Sequence, residues 1–290
     1  MKPIRIGIVG ASTLKGKEIK EAVEESGLPA LEIELLDDET AIGKLEAVGD
    51  EATFIQSIND ESLSRLDLAF FTGDAALTRK HFAEAQRAHC TVVDTSYALE
   101  GEPGYPVRSP WMEEALGTPS WFDAHGAVTA HPVATALALL LSRAAKIGNV
   151  RSAVATVLEP VSESGHPGMD ELHQQTVKLL NFQPLPKEIF DTQVAFNLVQ
   201  EYGNARSSTL ERTRRRVQEH LKQIAPTVEA PALMMVAAPV FHAHTMSLYV
   251  ETDAPVEIER WREALAGPHV DLVESSADGE GPSNISAAGE

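Results

Sequence analysis

The segment from Ile4 to Val23 constrains the fold more than any other. Ile4-Arg5-Ile6-Gly7-Ile8-Val9-Gly10 is a short apolar run, as expected of a strand buried on both faces of a parallel sheet. It passes directly into Gly10-Ala11-Ser12-Thr13-Leu14-Lys15-Gly16, a tight turn, and then into a predicted helix from about Lys15 to Ser26, ended by Gly27 and Pro29. A strand that turns at once into a helix is the opening of a Rossmann-type, doubly wound α/β sheet.

The next stretches repeat the alternation. Leu31 to Leu36 reads as a second strand, Leu66 to Phe71 as a third and Thr91 to Asp94 as a fourth, with a helix from about Ala76 to Ala88 between the last two. Gly101 to Pro119 is rich in proline and glycine and reads as a connecting loop. A helix starts near Val133. Beyond it, longer alternating strands (Arg151 to Pro160, Leu233 to Pro239, His244 to Glu251) lie among helices, one from about Met169 to Leu180 and one opened by a capping box at Ser208-x-x-Glu211. The expected organisation is a Rossmann-type domain over 1–132, an α+β domain over 133–274, and a weakly ordered Ser/Gly/acid-rich tail over 275–290.

A dinucleotide turn uses glycines for the bend, for backbone approach to pyrophosphate and for helix–strand packing. Gly10 and Gly16 supply the outer two; the middle position is Thr13. The helix N-terminus and the Ser12 and Thr13 hydroxyls still offer groups to a phosphate, but a Cβ stands where backbone should meet it. The alternative is that Gly10 and Gly16 merely let a strand turn into a helix. Asp37, Asp38 and Glu39 follow the second strand, where an acid takes ribose hydroxyls. They would reject a 2′-phosphate, so NAD is favoured over NADP.

Acidic residues outnumber basic ones 43 to 24, a formal charge of −19. Such a field repels nucleic acid and anionic membrane, and no stretch reaches the roughly 20 apolar residues of a membrane span. The single cysteine, Cys90, excludes a disulfide framework and any multi-cysteine metal site. The start of the chain has no signal-peptide layout, and a cytoplasmic location is expected. His242 and His244 would face one side of an extended strand, as a metal pair, as structural histidines, or with one as a general base. No third ligand stands at suggestive spacing, so no metal is expected. Arg212, Arg214, Arg215 and Arg216 read as a solvated helix face paired with acids such as Glu211 and Glu219, or else as a displaced anion site.

Taken in order, Val9-Gly10-Ala11-Ser12-x3-Gly16, Asp94-x-Ser96, His131-Pro132-Val133-Ala134-Thr135, Val161-Ser162-x-Ser164-Gly165-x2-Gly168-x2-Glu171-Leu172, Ala195-Phe196-Asn197 and Pro239-Val240-x3-His244-Thr245 resemble the aspartate-semialdehyde dehydrogenases over nearly the whole chain. The resemblance implies a second domain of the dimerisation type and a homodimer formed through it. It also implies an NADP-dependent reaction in which a cysteine at a helix start attacks the aldehyde and phosphate cleaves the thioester. The residue matching that cysteine is Ala134. Loss of the nucleophile in another covalent enzyme costs on the order of a millionfold. Cys90, just before a strand, reads as a small buried hydrophobe rather than a substitute.

Other matching positions also depart. The phosphate-binding arginine becomes Glu100; exchanging attraction for repulsion at ~4 Å is worth several kcal/mol at an effective dielectric near 20. The substrate-carboxylate arginine falls in Met235-Val236-Ala237-Ala238, which holds no cation. The glutamine beside the cysteine becomes Glu159, and the groups for the 2′-phosphate become Asp38 and Thr40. The base His244 and the acid Glu211 remain. This pattern is closest to the cysteine-lacking Usg-type paralogues. The family continues past Val270 to Glu274 with a strand and a long helix, so either the chain is a fragment or its cofactor groove lacks a wall. The implied reading is a catalytically inactive paralogue with a binding or scaffolding role. The alternative is an active NAD(P)-dependent oxidoreductase on an aldehyde or acyl phosphate in lysine, threonine and methionine biosynthesis.

Overall fold

The computed structural model describes residues 3–28, 31–49, 51–117, 125–202, 209–273 and 282–287. They fall into two compact units: Met1–Arg108 with Ser120–Thr129, and Ser109–Pro119 with Ala130–Glu290. Ser109–Pro119, expected in the first domain, therefore groups with the second.

The first unit opens with β1 (Ile4–Val9), α1 (Leu14–Glu25) and β2 (Leu31–Asp37). Then come β3 (Leu45–Val48), β4 (Glu51–Phe54), β5 (Gln56–Ser57) and α2 (Asp60–Ser64). The unit continues with β6 (Leu68–Phe71), α3 (Ala75–Arg87), β7 (Thr91–Asp94) and β8 (Val107–Arg108). The chain next forms α4 (Pro110–Leu116), which belongs to the second unit, and returns as β9 (Gly126–Thr129). Seven strands make one sheet in the order β5-β2-β1-β6-β7-β9-β8, and every pairing in it is parallel. Ile6, Ile8, Ala11, Leu35, Ala41 and Ile55 form a buried cluster against Ile19 and Val23 of α1. The chain runs outward from β1 to β2, then returns to the other side of β1 at β6. The crevice where a doubly wound sheet takes its ligand thus lies after β1 and β6.

Two departures from the sequence reading have simple causes. Gly101 to Pro119 is not all loop: β8 and α4 lie inside it. Pro110 occupies the first helical turn of α4, where a missing N–H costs nothing, and Gly117 at φ 64 closes the helix in the left-handed conformation. The β3–β4 hairpin and α2 were not anticipated, because segments of four or five residues carry too little periodicity to register. The capping residue Ser208, Trp121 and Pro29 lie outside the described residues; within the 275–290 tail the described residues include one helical turn, α9 (Asn284–Ala287).

The second unit holds α5 (Pro132–Ala144), β10 (Val150–Glu159) and a 3-10 turn (Val161–Ser164). After these come α6 (Gly165–Leu180), α7 (Thr209–Ile224), β11 (Ala232–Ala237), β12 (Thr245–Thr252) and α8 (Ile258–Leu265). A three-stranded sheet runs β11-β10-β12, parallel on one side of β10 and antiparallel on the other. Alternation along β10 buries Ala155, Val157 and Glu159 and leaves Val154 exposed. Arg143 of α5 is buried and donates to the carbonyls of Leu265 and Pro268 at the end of α8. Glu171 of α6 accepts the amides of Glu188, Ile189 and Phe190 at 2.7, 2.7 and 3.2 Å. Gln175, one turn on, accepts the amides of Val194 and Ala195. These two side chains fasten a long irregular segment to one helix face. Gly168 is needed there, because a Cβ would meet the Val161 carbonyl at 2.6 Å.

Candidate functional site

In the first unit the turn after β1 is built as a tight bend. Gly10 has φ 91, and a Cβ on it would lie 2.5 Å from the Gly73 amide nitrogen. Thr13 caps α1: its hydroxyl accepts the Gly16 N–H at 3.0 Å and lies 2.8 Å from the Gly10 carbonyl, to which it donates. The Ser12 N–H donates to the Asp37 carboxylate at 2.7 Å, and the Asp38 N–H donates to the other oxygen of Asp37 at 2.8 Å. Asp37 is 5% exposed.

This arrangement changes the reading of the acids after β2. Asp38 was expected to face a ribose. It turns back instead, accepting from the Thr40 hydroxyl at 2.7 Å and the Thr40 amide at 3.0 Å, bonds that lower its pKa. Asp37, which sequence reasoning did not separate from its neighbours, is the acid on the glycine turn. The Ser12 and Gly16 amides that a pyrophosphate would use are committed within the protein, one of them to an anion. As they stand, these residues do not fit a phosphate cradle.

Cys90 is 4% exposed, and its thiol lies 3.6 Å from the Thr91 carbonyl. Burial, with a smaller push from Asp67, raises its pKa to about 12. It lines a cleft of about 370 Å³ with Gln86, His89, Thr91, Tyr105 and His125. The cleft lies at the amino ends of β7 and β9, the opposite end of those strands from the ligand crevice. A thiol so protonated is no nucleophile.

In the second unit, α5 places Ala134 at its third helical position, 0% exposed. His131 caps this helix: its ring Nδ1 accepts the Val133 N–H at 3.2 Å, while its backbone N–H donates to Nδ1 of the buried His220 on α7 at 2.9 Å. Cβ is all that the chain offers at Ala134, where the helix N-terminus would lower the pKa of a thiol.

His242 and His244 do not share a face. Ala243 between them has φ 64, which turns the backbone and leaves His242 exposed and His244 mostly buried. Among the described residues no group of three His, Cys, Asp or Glu is arranged to hold a metal ion. The His244 ring meets His131 edge-on, centroids 5.7 Å apart. Its Nε2 lies 3.8 Å from Glu163 Oε1, beyond hydrogen-bond range, and has no hydrogen-bond partner among the described residues. Burial lowers the His244 pKa and Glu163 opposes the shift, so the imidazole is neutral at neutral pH, the form a base requires.

Glu159 ends β10 with 2% exposure. Its Oε1 accepts from the Tyr202 hydroxyl at 3.3 Å, and its Oε2 has no partner among the described residues. Burial first, then the nearby Glu163 carboxylate, raises its pKa to about 8, against the bond from Tyr202. Leu158 pairs with Thr245 across β10 and β12; Glu159 follows Leu158 and His244 precedes Thr245 at that end of the sheet.

Glu211 is placed elsewhere. Arg214 grips it in a fork, at 2.7 and 2.8 Å, and Arg215 adds a bond at 2.7 Å. These bonds lower its pKa to about 2, so Glu211 has no proton to give and cannot serve as an acid. It lines a cleft of about 240 Å³ with Arg214, Leu210, Met234 and Met235. For Arg214 and Arg215, the reading as a helix face paired with local acids holds.

Glu163, Tyr202, His131 and His220 escaped sequence reasoning as members of this cluster. Glu163 falls on an unspecified position of the Val161-to-Leu172 motif and Tyr202 lies outside every motif, whereas His131 opens one of them.

The comparisons with known proteins agree with this architecture. A family model described as the semialdehyde dehydrogenase NAD binding domain matches residues 5–178, and one described as the dimerisation domain matches residues 141–290. A USG-1 protein homolog of Azotobacter vinelandii is 30% identical over 279 residues, covering 93% of this chain and 81% of that protein. The aspartate-semialdehyde dehydrogenase of Rickettsia bellii is 26% identical, covering 91% of this chain and 78% of that one. The solved structure of a probable aspartate-semialdehyde dehydrogenase from Pseudomonas aeruginosa superposes with a TM-score of 0.81 at 25% identity, covering 98% of this chain and 84% of that one. Two domain models in family order and relatives alike over nine-tenths of the chain place it: the chain belongs to the semialdehyde dehydrogenase family.

Proposed function

We propose that this chain is a catalytically silent member of its family that acts as a binding or scaffolding subunit. The observation that carries the reading is Ala134, buried at the start of α5 where a nucleophile would be expected, together with a Cys90 too buried and too basic to replace it. A methyl group forms no covalent intermediate. The short strand β11 brings no cation to the site either, since Met235, Val236, Ala237 and Ala238 are all buried there.

The first unit carries the family's NAD-binding type of domain. Its glycine turn supports weak dinucleotide binding at best, because Asp37 occupies the Ser12 amide. NAD is favoured over NADP, since a 2′-phosphate would meet the acids after β2. The protein acts as a homodimer through its second unit, on the strength of the dimerisation-domain match.

A second reading is favoured by one observation, the neutral and largely covered His244. A base poised this way suits an NAD-dependent oxidoreductase that works without a covalent intermediate.

Turnover of aspartate semialdehyde with phosphate and NAD or NADP separates these readings. The expected result is no turnover and, by titration calorimetry, no heat with NADP and NAD binding weaker than about 1 mM, a bare 4 kcal/mol. A measurable rate that survives Cys90→Ala would defeat the silent reading and favour the second one. A rate that vanishes in Cys90→Ala would show that Cys90 is the nucleophile after all.

A further inference from the structure

The end of the β10–β12 sheet gathers polar atoms that the fold itself leaves unanswered. Oε2 of Glu159 and Nε2 of His244 are both buried and lack hydrogen-bond partners among the described residues. Glu163 links them: its Oε1 lies 3.8 Å from the imidazole, and its carboxylate acts on Glu159. An unpaired buried polar atom forgoes the hydrogen bond it had in water, so two in one cluster call for a partner. The groups facing them are the Tyr202 hydroxyl, already bonded to Glu159 Oε1, and the edge of the His131 ring. Of the described residues, no Arg or Lys is among the groups that shift Glu159 or His244.

The chemistry of these groups selects the ligand. Glu163 offers only acceptors, His244 offers a lone pair in one of its neutral tautomers, and Glu159 offers a second carboxylate. Two carboxylates close together in a buried place do not both ionise unless a positive charge joins them. An anion would be repelled. A neutral hydroxyl brings one donor for three acceptors. An ammonium group brings three N–H donors and the missing charge.

We propose that the Glu159–Glu163–His244 cluster binds a small primary ammonium compound, one N–H each to Glu159 Oε2, the Glu163 carboxylate and His244 Nε2. Binding transfers the Glu159 proton to solvent: the O–H bond breaks, the carboxylate stays behind, and the incoming cation balances its charge. Because Glu159 titrates near 8 in the free protein, that proton is present to be released at pH 7. The proposal deepens the binding role stated above and rests on it. Failure of amine binding leaves the absence of turnover standing, and turnover would leave amine binding standing.

The probe is methylammonium chloride, titrated into the full chain at pH 7 by calorimetry in two buffers of different ionisation enthalpy, neither of them a primary amine. Tetramethylammonium and sodium chloride at equal ionic strength are the controls, since both screen the acidic surface alike. Saturable methylammonium binding with release of close to one proton is expected, with neither control competing. Glu159→Gln keeps the shape of the side chain and the bond from Tyr202. It weakens binding at least about tenfold, or about 1.4 kcal/mol, and releases no proton. Glu163→Gln, which leaves Glu159 in place, also weakens binding and lowers the proton release. The near-ultraviolet dichroism of both variants reports that they are folded. Absence of saturation, equal binding of tetramethylammonium, or undiminished proton release in folded Glu159→Gln would each overturn the proposal.

Discussion

At the scale of single residues, three candidate side chains are held in protonation states that limit what each can do. Glu211 is locked as a carboxylate by two arginines, Cys90 is locked as a thiol by burial, and Glu159 holds a proton at neutral pH. Glu159 makes a stability prediction with a definite sign. Its folded pKa of about 8 stands above its unfolded value of 4.5, so the native state binds the proton more tightly. The stabilisation is complete below pH 4.5 and is lost as pH rises toward 8, at no more than about 1.4 kcal/mol per pH unit. Glu159→Gln keeps the partner of Tyr202 and has nothing to titrate. Thermal denaturation at pH 5, 6.5 and 8 should therefore show the variant gaining on the parent protein as pH rises, and parallel profiles would show that Glu159 ionises freely.

At the scale of elements, the helices and strands explain why the scaffold was legible and the site only partly so. Strand–turn–helix alternation and the helix at Val133 follow from apolar runs and glycine spacing, which is local information. Which acid turns onto the glycine loop is not local: Asp37 and Asp38 are neighbours, and only the end of β2 decides that the first points inward. Likewise the Ala243 backbone at φ 64 parts His242 from His244, although two-residue spacing suggested one face. Glu171 shows the reverse case, a motif residue whose part is structural. Glu171→Ala leaves three amides of the 188–190 segment without an acceptor and should cost on the order of 3–5 kcal/mol in urea unfolding, with Glu171→Gln milder. A loss under about 1 kcal/mol would mean that water replaces the carboxylate freely. The start of α5 carries a further prediction. Ala134→Cys restores a thiol at a helix N-terminus, but Ala134 has no exposed surface and β11 supplies no cation, so turnover should stay undetectable while added bulk costs about 1–3 kcal/mol. Recovered activity from that single change would show that the nucleophile alone had been missing.

At the scale of the whole molecule, a formal charge of −19 sets like chains against one another, so any self-association needs an apolar face large enough to prevail. The second unit has one. On the outward side of β11-β10-β12, Val154 is 47% exposed, Met234 42% and Tyr249 60%, and register sets Val154 beside Tyr249 and Thr156 beside Met234. Two such sheets meeting face to face would bury these side chains, with Glu251 at the edge of the face held by Ser152 and Arg151. A stable dimer needs roughly 800 Å² from each partner, with large apolar anchors near its centre. Light scattering after size exclusion should therefore return the mass of two chains. Val154→Lys with Tyr249→Lys places two cations of each chain against two of its copy, so the double variant should run as one chain while keeping its helical dichroism. Because the introduced charges are all positive, added salt should restore part of the association in the variant. A parent protein of single-chain mass, or a double variant that still pairs, would place the contact on some other face.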